Sequence, residues 1–158
     1  MVAVLCVAAI VACVWLARAY FRGKKRLQAK AQQAMQNAVQ VPAGDARISV
    51  YVYDGAPIKK QRVGKPFRVL VLKGEKTMTS VYTGTTWTGD CCLSFGGERF
   101  GFLGTGMHHD LLASLVNRHG AASIMVHVTH HDANARFPYV VADLPERGWF
   151  RERLRRKH

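Results

Sequence analysis

This sequence is short of acid. The 158-residue chain carries 10 Asp and Glu against 23 Lys and Arg, a formal net charge of +13. Such an excess suggests an anionic partner, although a total does not say where the charge sits. Residues 1–44 hold six basic side chains and no acid; residues 45–145 hold eleven basic and eight acidic; residues 146–158 hold six basic and two acidic. The basicity therefore flanks a nearly balanced middle. Cysteine is also sparse. Cys6 and Cys13 lie in an apolar run, where Cys is a small hydrophobe, and Cys91 and Cys92 are adjacent. Neighbours rarely bond to each other, so a disulfide framework is excluded and a reducing compartment is the simpler expectation. No P-loop, GxSxG, HExxH or CxxC motif occurs, and no internal repeat or low-complexity tract. The length is too short for a TIM barrel, and 49% hydrophobic residues argue against wholesale disorder.

Charge, Gly and Pro are absent from residues 1–17, MVAVLCVAAIVACVWLA. As a helix these span about 25 Å, short of a hydrocarbon core of about 30 Å unless Ala19–Phe21 join by letting Arg18 snorkel. No Lys or Arg precedes the run, which argues against a secretory signal and, by the positive-inside rule, places the N-terminus outside. The expectation is a single-pass anchor over 1–21 with the rest of the chain cytoplasmic. Arg18, Arg22, Lys24, Lys25 and Arg26 would then sit at the lipid surface. Residues 22–44 predict a basic helical stalk ending at Pro42 and Gly44, with a weak stripe of Leu27, Ala31, Ala34, Ala38 and Val39. That stripe suits a plain stalk or, less well, a coiled-coil seam.

From Asp45 the pattern switches to period 2. Strands are expected over Arg47–Tyr53, Pro66–Lys73 (closed by Gly74), Thr77–Thr83, Cys91–Phe95, Glu98–Leu103, Ser123–Thr129 and Phe137–Val141. Gly96-Gly97 signals a hairpin. Met107, Leu111, Leu112, Leu115 and Val116 recur at helical spacing and Gly120 stops the helix. The fold class expected is α+β: a transmembrane helix and stalk, then a small, mostly antiparallel β-barrel or sandwich over 45–145 with one inserted helix. In the tail 146–158, Trp149, Phe150, Arg153 and Leu154 fall near one helical face. Such a tail either lies on an anionic membrane surface through Trp149 and Phe150, or docks on the domain through the same two rings.

Candidate chemistry is thin. Gly101, Gly104 and Gly106 precede a helix but lack Rossmann spacing and read as a tight turn. His127, His130 and His131 with Cys91 or Cys92 would make a metal-dependent enzyme only if the fold gathered them. Catalysis is not expected, and no cofactor.

Asp90–Asn117, DCCLSFGGERFGFLGTGMHHDLLASLVN, resembles the HIRAN domain, a small β-barrel module. Asp90 precedes Cys92, Leu93 and Phe95; Gly96-Gly97 is the hairpin; Phe100-Gly101-Phe102-Leu103 matches the strand end, with Gly104 where the family has proline; Leu111, Leu112 and Leu115 match the helix face. The stretch before Asp90, usually rich in Pro and Asn, is here Thr83–Gly89. The resemblance implies binding of single-stranded DNA ends in a pocket of aromatic and basic residues. Arg62, Lys65, Arg68, Tyr82 and Trp87, with Tyr53, are the candidates for phosphate contact and stacking. The function expected is a membrane-anchored module for single-stranded nucleic acid or another anionic ligand. The rival is an interaction or assembly component of a membrane-associated protein complex.

Overall fold

A computed structural model describes residues 2–79, 86–132 and 134–156, with side chains placed outside 2–12, 75–79 and 86–89. Helix α1 (Val2–Asn37) leads into a two-residue strand β1 (Val39–Gln40). Next come β2 (Ala46–Val52), a 3-10 turn (Ala56–Ile58), β3 (Phe67–Thr79), β4 (Thr86–Phe95) and β5 (Glu98–Leu103). Helix α2 (Met107–His119), β6 (Ala121–His130), β7 (Tyr139–Leu144) and helix α3 (Arg147–Arg155) complete the chain. Six strands close into an antiparallel β-barrel in the order β6-β3-β4-β5-β2-β7, with β7 returning to β6. The short β1 adds to β6 in parallel, Val39 opposite Ala122 and Gln40 opposite Ser123.

Strand alternation builds the core. Val69, Val71, Leu93, Phe100, Phe102, Ile124, Val126, Val128, Val140, Ala142 and Leu144 are all essentially inaccessible and form one cluster. Helix α2 adds Leu112, Leu115 and Val116, and α3 adds Phe150. Phe150 is wholly buried and Trp149 half-buried, their rings edge to face at 5.1 Å. The two rings therefore dock the tail on the domain, and Phe150 is closed to any lipid surface. Arg118 of α2 caps the end of α3 through the Leu154 and Arg156 carbonyls.

Two strand expectations need correction. Gly74 does not close a strand. Strand β3 runs on to Thr79, and its pairing with β4 slips by one residue between Lys73 and Lys76. That is a bulge, and glycine suits it because a Cβ there would lie 3.1 Å from the Cys92 Cβ. The strand expected over Thr77–Thr83 is thus the far end of β3, and its residues 80–83 lie outside the described residues.

The expected membrane anchor is also corrected. Among the described residues no helix is long and apolar enough to cross a membrane, which removes both the 1–21 span and the single-pass placement. The uncharged run of about 25 Å falls short of a bilayer core by itself. Anchor and stalk are one continuous helix, which carries Arg18, Arg22, Lys24, Lys25 and Arg26 exposed and then lies on the barrel. The Ala stripe is its contact face: Ala31, Ala34 and Met35 are half-buried and Ala38 is buried. On the sheet, whose strands β6 and β3 contact α1, a cross-strand row Ser123–Leu70–Ser94 faces out of the barrel and is nevertheless buried. Small side chains on both surfaces allow close approach.

The β4–β5 turn supports the same contact. Gly96 (φ +63°) and Gly97 (φ +90°) both have left-handed backbones. A Cβ on Gly96 would meet nothing within 4 Å; on Gly97 it would lie 2.9 Å from Leu27 Cγ and 3.4 Å from the Ala31 Cβ. Gly96→Ala should cost about 1–2 kcal/mol from backbone strain alone. Gly97→Ala should cost about 1–3 kcal/mol more, by overpacking against α1. Urea unfolding of the two variants measures the difference, and equal losses would mean that α1 does not rest on this turn.

Candidate functional site

Among the described residues, the sequence-based site candidates lie on separate elements. Arg62 and Lys65 are exposed on the loop before β3, held by the Val63–Val128 bridge and the Gly64 N–H bond to the Val128 carbonyl. Arg68 is exposed on β3 and its Nη1 donates to Ser123 Oγ at 3.3 Å. Trp87 pairs with Met78, ten residues along β3 from Arg68. At about 3.3 Å per residue the two are roughly 30 Å apart, too far to flank one base. Tyr82 lies outside the described residues. Tyr53 is half-buried against Phe102, ring centroids 5.2 Å apart, with its hydroxyl 3.7 Å from Cys92 Sγ.

What the fold does gather lies on the outer face of β6, β7 and β2. Inward positions alternate with outward ones, so Val50, Val140 and Ala142 enter the core while Tyr51, Tyr139 and Val141 face away from it. Tyr51 and Tyr139 are 43% and 49% exposed, unusual for rings on a packed sheet. They line a groove of about 740 Å³ with His130, Arg136 and Phe137. His130 is opposite Tyr139 across the strand pair, and their rings stack at 4.3 Å and 13°. The Thr129 hydroxyl orders that stack: it donates to the Tyr139 carbonyl (3.3 Å) and lies within hydrogen-bond distance of His130 Nδ1 (3.0 Å). The Arg136 guanidinium sits 5.2 Å from the Phe137 ring centroid, a cation–π distance.

A polar row borders the groove on the same face. Arg68, Met125, Asp143 and Arg47 stand opposite one another across β3, β6, β7 and β2. His127 Nδ1 is 2.7 Å from Asp143 Oδ2 at its centre, both side chains less than a fifth exposed. The face thus offers flat rings, cations and one already paired carboxylate. These suit stacking and anion contact.

Among the described residues the cysteines and histidines do not gather into one cluster, and no three His, Cys, Asp or Glu side chains could hold a metal ion. Strand β6 slips register between Val128 and His130 and ends there, so His127, His130 and His131 do not share a regular face. Cys91 is fully buried, its thiol aimed at the His109 carbonyl at 3.9 Å. Burial, reinforced by the carboxylates of Asp90 and Asp110, pushes that thiol from 9.0 up to about 12, so it stays protonated and unreactive. The Tyr53 hydroxyl is likewise pushed from 10.0 up to about 12 by burial and then by Cys92.

The groove was not legible in the sequence. Phe137 and Tyr139 read as strand residues and His130 as a loop histidine, and only the β6–β7 register joins them. Compared with known families, curated proteins and solved structures, the chain matches none.

Cys91 supplies a test of this wall of the barrel. At pH 8 a thiol-specific alkylating reagent should mark the exposed Cys13 in the folded protein. Cys91 and Cys92 should be marked only after unfolding, as peptide mass mapping reads. Because the folded thiol of Cys91 titrates higher than the unfolded one, its contribution to stability is complete below about pH 9 and is lost as pH rises toward 12. Rapid labelling of Cys91 without denaturant, or stability flat through that window, would mean the thiol is not sealed in the core.

Proposed function

We propose that the barrel is a binding module for single-stranded nucleic acid, and that the strand lies in the groove on the outer face of β2 and β7. The observation that carries this reading is a set of rings beside a guanidinium: exposed Tyr51, exposed Tyr139 stacked on His130, and half-buried Phe137 under Arg136. Every base has a flat π-face, so such rings accept bases of any sequence, and the cation meets the phosphate that accompanies each one. An exposed ring stack is costly on a surface with no partner, since the apolar faces remain in water. The HIRAN-like stretch 90–117 belongs to this proposal. It forms the end of β4, the Gly96-Gly97 turn, β5 and α2, whereas the rings proposed to hold bases come from β2, β7 and the loop before it.

The test is fluorescence anisotropy of a labelled single-stranded oligonucleotide with the full chain at several salt concentrations. Tyr139→Ala should weaken binding by about 1–3 kcal/mol, or roughly 5–150-fold, without altering the salt slope. Arg136→Ala should lower the slope of log K against log salt by about 0.7. If no oligonucleotide binds at low salt, or if Tyr139→Ala binds like the parent, this function is wrong.

A further inference from the structure

Gly55, just beyond β2, packs against two residues that line the groove: a Cβ there would lie 3.4 Å from Phe137 and 3.6 Å from Pro138. On the other side of the same turn is a second cavity, of about 330 Å³. Lys59, Lys60 and Gln61 line it from the turn, Lys24 and Gln28 from α1, and Glu98 from the β4–β5 hairpin. Residues 24–28 and 59–61 are remote in sequence and meet only because α1 lies on the barrel.

The backbone that carries these side chains is held firmly. Ile58 is 1% exposed and pins the 3-10 turn to the core. The Ala56 N–H donates to Asp54 Oδ1 at 2.9 Å and closes the turn. On the other wall, Leu27 and Ala31 rest on Gly97, which fixes the height of Lys24 and Gln28 one turn earlier in the helix. No ion pair among the described residues involves Lys24, Lys59 or Lys60. Three ammonium groups against one carboxylate leave the cavity with an excess of +2. The three lysines are exposed and only donate hydrogen bonds, and the amides of Gln28 and Gln61 can add donors, so the ligand whose chemistry complements this cavity is an anion rich in acceptor oxygens.

We infer that Lys24, Lys59 and Lys60 form a phosphate-binding extension of the groove, so that α1 is one wall of the nucleic-acid site. The inference rests on the nucleic-acid reading of the groove. A strand whose bases stack at Tyr51 and Tyr139 passes over the Gly55–Ile58 turn and lays its next phosphates among the three lysines. Short and long ligands should therefore behave differently. A strand of about 4 nucleotides fills the groove alone, and one of about 12 reaches the lysines.

The experiment measures anisotropy for labelled single strands of those two lengths on the full chain, over a salt series. For the parent protein the longer strand should bind more tightly, with a salt slope steeper by about 2, from three phosphate contacts at about 0.7 each. The combined variant Lys24→Ala, Lys59→Ala, Lys60→Ala should lose that excess slope and leave affinity for the short strand unchanged within about twofold. The matching variant with Arg at all three positions should retain it. Thermal melting of each variant shows that the fold is kept. An unchanged slope in the Ala variant, equal losses for both lengths, or loss in the Arg variant would overturn the inference while leaving the groove in place. Failure of the parent to bind either strand would overturn both.

Discussion

The structure depends on one strand having three partners. Strand β6 pairs with β3 along residues 121–126 on one edge. On the other edge it pairs first with β1 at residues 122–123 and then with β7 over residues 125–130. The offset is what closes the barrel, because β7 takes up β6 where β1 leaves it. Closure removes the open edges on which a small sheet would aggregate or fray. It also sets the face that carries the candidate site, since His130 meets Tyr139, and His127 meets Asp143, only across this seam. The glycine-ended helix α2 and the tail helix α3 complete the core from outside the sheet.

A second constraint is the small-residue contact between α1 and the barrel. A helix rich in Ala has too little apolar bulk to make a strong coiled-coil seam, yet it can lie close to a sheet whose facing residues are also small. Ser94, Ser123 and Gly97 are such residues. The residues of α1 that read as a stalk are thus a layer of the domain, and Ala38 and Val41 behind them are buried. This changes the meaning of the basic cluster. Lys24 belongs with Lys59 and Lys60 in space, although the +6 of the first 44 residues looked like a feature of the N-terminus alone.

Much of the fold was legible in the residues. Alternation located β2, β5 and β6 closely, and the helical spacing of Leu111, Leu112, Leu115 and Val116 located α2. These are local signals, set by the period of the backbone. Gly74 misled because a strand glycine marks either a stop or a bulge, and the difference lies in the partner strand. The apolar start misled because hydropathy scores an uncharged run in isolation, whereas a single helix continues past Arg18 onto the barrel. The tail was ambiguous between lipid and protein, and the burial of Phe150 decides for protein.

The candidate site was nearly illegible. Tyr139 and Tyr51 were outward members of alternating strands, as any surface residue is, and nothing in their spacing marks them as neighbours. Arg62, Arg68 and Trp87 have suitable chemistry, but the strand register puts Arg68 and Trp87 at opposite ends of β3. By itself the sequence determined most of the strands and helices and which face of each is apolar, because these properties come from periods of 2 and 3.6 along the chain. Which outward residues stand side by side was decided by tertiary structure alone, because barrel closure and strand register bring together residues that local periodicity never relates.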